Sequence, residues 1–235
     1  MSQNAPATTQ SDETFAMADA YLHHRIDAAP RQWKAVADRI TEGLARATAM
    51  GGALFGIWRS QIGRPRDELN AITVWSDIEA GRREVDRVLA ATGEVVRHET
   101  MPMAPTLRPT MRVAPTRQGN YAFRWFETPA RHWDEFLMLC EGAWPDFEAS
   151  YDSQVIGLWR VGEPPPEPTA EPVRSLLLTR RPDLAMWERS KLPEVAVETA
   201  VREKLNRRYD LCDATVVYTT TLITAADRQD NARWT

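Results

Sequence analysis

The side chains best suited to move protons near neutral pH are the four histidines of this 235-residue sequence. His23 and His24 are adjacent in a strand-like segment, so their rings point to opposite faces and cannot chelate one metal ion together. His98 lies in a later strand-like segment. We predict His23 and His98 as catalytic candidates, each acting as a general base or proton carrier. The competing interpretation for each is a structural, hydrogen-bonded histidine.

Nine tryptophans are the second chemical feature of the sequence, and all but Trp234 lie inside predicted elements. When the most apolar face of each strand is assigned to the helices, the opposite faces form a largely aromatic lining. Such a lining suits a flat or hydrophobic organic molecule, held by stacking and one or two hydrogen bonds. The competing interpretation is that the tryptophans only fill a core. The predicted ligand-binding residues are Tyr21, Arg25, Trp58, Thr73, Trp75, Tyr121, Trp125 and Trp159.

No other segment reaches the strength of a catalytic motif. The sequence lacks a glycine-rich phosphate loop, a Gly-x-Ser-x-Gly elbow, a Cys-x-x-Cys pair and a His-Glu-x-x-His helix. Two arginine pairs precede helices, where they could bind an anion or stay solvated, and solvation is the favoured interpretation. These pairs are Arg82-Arg83 and Arg180-Arg181. We predict no metal site and no cofactor.

The composition excludes several classes of partner. The formal net charge is -4, so no basic field attracts a phosphate backbone, and nucleic-acid binding is not expected. The longest apolar runs fall far short of the ~20 residues of a membrane span. The polar residues 2–14 are interpreted as a loose tail and not as a signal peptide. We therefore predict a cytoplasmic protein, and the Ala, Arg and Pro bias favours a bacterial source.

An internal repeat organises the chain. At an offset of 100 residues, Tyr21 matches Tyr121 and Trp33 matches Trp133. The helix that starts near Trp33 then has an apolar residue at the i, i+3, i+4, i+7 and i+11 positions in both copies. With one inserted residue, the sequence Gly-Ile-Trp-Arg at 56–59 aligns with Gly-Leu-Trp-Arg at 157–160. Three matches in order indicate a duplication.

Each copy has the pattern strand, helix, strand, strand, helix, strand, which predicts a ferredoxin-like βαββαβ unit. The predicted strands are 18–26, 53–60, 68–75, 94–101, 121–126, 154–161, 173–179 and 214–223, and the predicted helices are 31–49, 77–91, 130–148 and 184–208. The predicted organisation is a flexible tail (1–13), a first unit (14–101), a proline-rich linker (102–119), a second unit (120–225) and a tail (226–235).

Both faces of each predicted sheet need cover. Phe55 and Ile57 alternate with Leu54 and Trp58, so both phases of that strand are apolar. Helices cover one face, and the sheet of the other copy is the simplest cover for the second. The predicted fold class is therefore α+β, with two tandem ferredoxin-like units packed sheet to sheet as a single-chain, pseudo-dimeric α/β barrel.

The first copy resembles the NIPSNAP family in a Trp-bearing strand, a glycine turn, an Asn before the next strand, and a Trp-x-Asp followed by spaced arginines. The matching residues are 56–63, 69–77, Arg82 or Arg83, and Arg87. The resemblance implies the dimeric α/β-barrel superfamily, which includes cofactor-free monooxygenases, isomerases, haem enzymes and proteins of unknown role. It therefore implies the fold more strongly than an activity. The second copy lacks the Asn and the strand-ending Trp, which leaves room for an asymmetric site.

The favoured functional hypothesis is a cofactor-independent monooxygenase or isomerase that transforms a small hydrophobic or aromatic molecule in the barrel. The alternative is a non-catalytic ligand-binding or protein-interaction module, because no acid–base pair converges. A haem protein is less favoured, since the remaining histidine, His132, lies beside the apolar helix stripe and not on it. The tandem repeat removes the need for a partner chain to close the barrel, but it leaves both a monomer and a homodimer open.

Overall fold

A computed structural model describes residues 19–162 and 171–227 of the chain. Its first half contains β1 (Ala20–Ala28), α1 (Trp33–Gly43), a 3-10 helix (Leu44–Met50), β2 (Gly52–Ile62), β3 (Glu68–Trp75), α2 (Ile78–Ala90) and β4 (Val95–Arg108). The predicted tail 1–13 and most of the predicted tail 226–235 lie outside the described residues. Within those residues, no helix is long and apolar enough to cross a membrane.

The second half repeats this order of elements. It contains β5 (Asn120–Thr128), a 3-10 turn (Ala130–His132), α3 (Trp133–Tyr151), β6 (Gln154–Val161), β7 (Val173–Arg181), α4 (Leu184–Arg189), α5 (Ala196–Asp210) and β8 (Ala214–Leu222). The predicted helix 184–208 is two helices. Pro193 lies between them, and proline has no backbone N–H for an intrahelical hydrogen bond.

All eight strands form one closed antiparallel barrel in the order β1-β3-β2-β8-β5-β7-β6-β4. The first-half strands are contiguous, as are the second-half strands, and the two sets meet at the pairs β2–β8 and β4–β6. Closure leaves no free sheet edge along the barrel wall. The chain is thus a mixed α+β protein with an eight-stranded antiparallel barrel.

The segment assigned to a linker from residue 102 is partly strand. β4 continues to Arg108, and its residues from Met103 onward pair with β6. The prolines at 102 and 105 are compatible with this pairing, because the register of the ladder is irregular between Pro105 and Arg108. The connection between the halves is therefore shorter than predicted.

The apolar core has three layers. The helices of the first half cover one layer, and Leu22, Ile26 and Ile57 belong to it. The helices of the second half cover another, which includes Phe126 and Phe136. The third layer is the barrel interior between the two sets of strands.

The same local structure, a β-bulge followed by a glycine and an inward-pointing tryptophan, occurs in both halves of the interior layer. A β-bulge at Phe55 in β2 and another at Ile156 in β6 turn these side chains inward, together with the tryptophans three residues later. A Cβ at Gly56 would lie 2.6 Å from the Trp58 ring, and the equivalent atom at Gly157 would lie 2.3 Å from the Trp159 ring. Only glycine leaves room for the folded-back indoles.

Candidate functional site at one mouth of the barrel

A polar network crosses the otherwise apolar barrel interior. The Tyr218 hydroxyl donates a hydrogen bond to Asn70 Oδ1 at 2.8 Å, and His23 Nε2 lies 2.9 Å from the same oxygen. Because a carbonyl oxygen only accepts, His23 must carry its proton on Nε2. Trp125 lies beside the network, with its ring centroid 5.5 Å from that of His23. The hydrogen bonds join β1, β3 and β8, so the network spans both sets of strands.

Two atoms of this network have no hydrogen-bond partner among residues 19–162 and 171–227. They are His23 Nδ1, which presents a lone pair, and Asn70 Nδ2, which presents N–H donors. Both residues are fully buried. Buried polar atoms without partners are uncommon and costly, so an acceptor and a donor left free in one network indicate a place for a polar ligand group.

Electrostatics keep His23 neutral. Its pKa is lowered to about 4, chiefly by burial; the Asn70 hydrogen bond opposes this shift, and the Arg25 and Arg174 guanidiniums add to it. Burial likewise raises the pKa of Tyr218. At neutral pH the network therefore holds an uncharged imidazole with a free lone pair and an intact phenol.

A cleft of about 270 Å³ opens beside this network. Trp125 and Tyr218 line it, so they lie between the cleft and the buried His23 and Asn70. Arg25, Arg64 and Arg174 provide its cationic groups. Arg25 pairs with Glu99, and Arg64 pairs with the buried Glu68. The Arg174 guanidinium lies 4.8 Å from the Trp125 ring centroid and takes part in no ion pair within the described chain.

Most of the predicted aromatic residues do point inward, but they pack against one another. Tyr21 lies 5.7 Å from Trp159, and Trp58 lies 5.9 Å from Tyr121, measured between ring centroids. All four are at most 1% exposed. Their part of the interior is a packed core, as the competing interpretation held, and the open space lies at the mouth beside Arg25 and Trp125.

The predicted facing of β3 is wrong. Ile72 and Val74 point into the barrel, whereas Trp75 packs under the first-half helices. Thr73 lies on that same face, where its Oγ1 accepts a hydrogen bond from Trp75 Nε1 at 2.7 Å. Both phases of this strand are buried, so alternation could not decide which face the helices cover. Thr73 and Trp75 therefore do not line the interior.

His98 also lies outside the barrel. It pairs with Ile26 across β1, which places it on the helix side, and its Nε2 lies 3.6 Å from Asp86 Oδ1 of α2. Its side chain is 34% exposed. The geometry separates His98 from His23, so the two predicted catalytic histidines are not brought together.

The residues present do not fit a haem group. His23 and His24 are buried in hydrogen-bonded networks, and His98 faces Asp86. None of the four histidines lines the pocket under the second-half helices, and His132 lies at the start of α3. No group of three or more metal-ligating side chains occurs in residues 19–162 and 171–227.

Three functional candidates escaped sequence reasoning. Asn70 was noticed only as part of a family-like motif, and an asparagine inside a buried strand is itself a signal, because its amide must find partners. Tyr218 follows an apolar run and shows no pattern of its own. Arg174 opens β7 and is distinguished only by its position above Trp125.

Comparison with known proteins supports the fold. No protein-family model matches the chain, and no curated protein matches it. Among solved structures, a putative monooxygenase from Lactobacillus acidophilus NCFM superposes with a TM-score of 0.59 at 9% identity, covering 91% of this chain and 100% of the other. An anthrone oxidase-like protein superposes with a TM-score of 0.59 at 12% identity, covering 91% and 96%.

A third similar structure is a mutant chlorite dismutase from Candidatus Nitrospira defluvii, with a TM-score of 0.56 at 6% identity over 87% of this chain and 91% of the other. At such identities the likeness concerns the fold alone. This chain therefore shares with these structures a mixed α+β fold built on an eight-stranded antiparallel barrel.

Proposed function

We propose that this protein binds a small aromatic molecule with an acidic group at the mouth cleft and removes a proton from it without a cofactor. The observation that carries the proposal is a pair of buried atoms, His23 Nδ1 and Asn70 Nδ2, that have no partner in the described part of the chain. Their side chains contact Trp125 and Tyr218, which line the cleft. A neutral imidazole can accept a proton, and an amide N–H can stabilise the negative charge that develops on an oxygen.

The cleft residues supply the binding part of the proposal. Arg174 meets the acidic group of the ligand, and the Trp125 ring provides a stacking surface. His23 is fully buried, so the proposal requires Trp125, which is partly exposed, to rotate and admit the ligand. Opening of this kind is ordinary for side chains at a site entrance.

The chemistry that follows proton removal decides between two reaction types. In an isomerase the proton returns to another atom of the same molecule. In a monooxygenase dioxygen is the oxidant: a benzylic CH₂ becomes a carbonyl, one oxygen atom enters the product, and the other leaves as water. The monooxygenase and anthrone oxidase-like structural neighbours favour testing the second type first.

The proposal also includes the fold's origin in an internal duplication. The contiguous strand sets, the matched bulges at Phe55 and Ile156, and the matched Gly–Trp contacts support two tandem ferredoxin-like units, at about 14–101 and 120–225. A relationship to the NIPSNAP family rests on the residues around Gly56 and Trp75. A cytoplasmic location and a homodimer are expectations of the same kind.

A non-catalytic ligand-binding module is the second candidate function. The observation that favours it is the pKa of His23, lowered by burial to about 4, since a general base works best when its pKa is near the working pH. In that case the network would fix a ligand without exchanging a proton.

The test uses an anthrone carboxylic acid as probe and follows oxygen consumption. We expect the unsubstituted protein to consume oxygen and His23→Gln to lose at least about 100-fold of the rate, the usual contribution of a positioned base. His98→Gln is the matched control and keeps the rate, because His98 lies outside the barrel.

Equal rates in the unsubstituted protein and His23→Gln would remove the catalytic role. Binding of anthrone or its acidic analogues without turnover would support the non-catalytic module instead.

A further inference from the structure

A second pocket lies under the helices of the second half, on the opposite side of the sheet from the mouth cleft. It is bounded by β5 and β7 below and by α3, α4 and α5 above. Four arginines line it, and we call it the arginine pocket: Arg124, Arg181, Arg202 and Arg208. Arg124 and Trp125 are neighbours on β5 and point to opposite faces, so the two spaces are separate sites.

The arginines of this pocket are buried to an unusual degree. Arg208 is 3% exposed and Arg181 is 8% exposed, while Arg124 and Arg202 are half-buried. Solvation was the favoured interpretation for the Arg180-Arg181 pair, and the structure contradicts it. Fully buried arginine is rare unless the charge is paired.

No carboxylate balances these charges. None of the ion pairs formed by residues 19–162 and 171–227 includes Arg124, Arg181, Arg202 or Arg208. Arg189, which does not line the pocket, forms ion pairs with Glu194 and Glu198. The carboxylates nearby are thus already engaged.

Arg202 donates a hydrogen bond to the backbone carbonyl of Ser190. The two most buried arginines, Arg181 and Arg208, make only weak polar contacts. Arg181 donates to Thr179 Oγ1 at 3.2 Å and lies 5.1 Å from the Phe147 ring centroid, and Arg208 reaches Cys140 Sγ at 3.6 Å. Within the part of the chain that the structure describes, the Nε atoms of Arg181 and Arg208 have no hydrogen-bond partner. Burial and the neighbouring arginines lower the pKa of Arg181 to about 9.

The protein's own acids near the pocket do not supply the missing charge. Burial alone would raise the pKa of Tyr209, but Arg208 and Arg124 outweigh burial and lower it. Burial raises the pKa of Cys140. A thiol that resists ionisation and one phenol cannot neutralise four guanidiniums. Uncompensated buried charge is strongly destabilising, so the site calls for an anion from outside.

We propose that the arginine pocket binds an oxyanion, a phosphate or carboxylate group, that neutralises the buried guanidiniums. Planar guanidinium forks match the oxygens of these two groups, and donors without partners are available on Arg181 and Arg208. The free space is about 60 Å³, which is enough for several water-sized positions and hence for one small anionic group.

The oxyanion has two sources that share this chemistry. It is either free inorganic phosphate or the acid group of a larger organic molecule whose body leaves the pocket past Trp187 and Lys191, two residues of its lining. The site does not depend on the proposed function at the mouth cleft, because it uses none of the same residues.

The experiment measures thermal unfolding and titration calorimetry in a buffer free of phosphate and carboxylate. We expect inorganic phosphate to raise the melting temperature of the unsubstituted protein with its concentration, as ligand linkage requires, and acetate and benzoate to act as the carboxylate probes. Arg181→Met removes a buried charge, so it melts at or above the unsubstituted protein before phosphate is added and gains nothing from phosphate.

Two further variants complete the design. Arg124→Gln, at a half-buried position, weakens phosphate binding at least about tenfold and serves if Arg181→Met fails to fold. Arg207→Gln is the control: Arg207 lies on α5 next to Arg208, but it is exposed and pairs with Glu135 outside the pocket. It keeps full binding.

A response to benzoate or acetate that exceeds the response to phosphate and is lost in Arg181→Met assigns the arginine pocket to an organic acid, since a benzoate response at the mouth cleft would survive this substitution. Absence of binding by all three anions would overturn the proposal. Equal shifts in the unsubstituted protein, Arg181→Met and Arg124→Gln would overturn it as well.

Discussion

The helix-covered faces of the two halves share an architecture and differ in their polar contents. In the first half, His24 lies 2.9 Å from Thr100 Oγ1 and 3.0 Å from Thr73 Oγ1, so both of its ring nitrogens are satisfied. Thr73 also accepts from Trp75. At the position equivalent to His24, the second half carries Arg124, part of a group of arginines without carboxylate partners.

This difference distinguishes buried polar groups whose hydrogen bonds and charges are satisfied within the protein from those that require a ligand. The first-half network is neutral and closed, which is the usual condition of a stable core. The arginine pocket of the second half is charged and open. The His23–Asn70 network at the barrel mouth is intermediate: it is neutral, but two of its atoms lack partners.

Acidification gives the largest expected effect on the free energy of unfolding. Acid protonates the buried, neutral histidines, whereas the arginines are already charged. Burial lowers the pKa of His23 to about 4 and that of His24 to about 3. The pKa of each histidine is lower in the folded protein than in the unfolded chain, where it is about 6.5. As the pH falls below 6.5, the unfolded chain takes up a proton that the folded protein does not, so the free energy of unfolding decreases until the pH reaches the pKa of the folded state. We expect the free energy of unfolding to drop by about 2 kcal/mol per histidine between pH 7 and pH 5.

Urea unfolding at pH 7, 6 and 5 measures this loss. His23→Gln and His24→Gln each remove about half of the pH dependence. An unfolding free energy that stays constant from pH 7 to pH 5 would show that the two buried histidines are not held neutral by the fold.

A smaller effect follows from opening the closed network of the first half. Thr73→Val keeps the shape of the side chain but leaves His24 Nε2 and Trp75 Nε1 without their partner. We expect a loss of about 1–3 kcal/mol in the free energy of unfolding, the cost of leaving buried polar atoms unsatisfied. Denaturant titration measures it.

Thr221→Val is the matched control for this substitution. Thr221 is a half-buried threonine of β8 whose side chain makes no hydrogen bond within the described residues. We expect a change below about 0.5 kcal/mol there. Equal losses at the two positions would mean that the His24 network contributes nothing specific.

The sequence predicted the elements better than the facing of their side chains. The predicted bounds of β3 and β6 agree with the structure, because alternation and turn residues delimit them. The inward faces of β1 and β5 were also predicted correctly. The predicted facing of β3 was wrong because Thr73 and Trp75 are buried against each other and under the helices. Both faces of β3 are buried, so the alternation of residue types along the strand does not reveal which face the helices cover.

The candidate site was only partly accessible to sequence reasoning. His23 stood out by its residue type, but its partners Asn70 and Tyr218 come from strands that are distant in the chain and adjacent only in the closed barrel. Arg181 looked like a solvated helix-flanking residue, because burial of a charge leaves no mark in a single sequence. Tertiary packing decides these features.

The most direct measurement is a two-dimensional ¹⁵N–¹H spectrum of the tryptophan indole groups, recorded during titration with benzoate and then with inorganic phosphate. We predict that benzoate moves the Trp125 signal at the mouth cleft and that phosphate moves Trp144 and Trp187, which line the arginine pocket. The Trp75 indole N–H donates to Thr73 in the first half, so its signal does not shift with either benzoate or phosphate. Shifts of Trp75 equal to those of Trp125 and Trp187, or no shift at any of them, would contradict the division between a closed first-half face and two ligand sites.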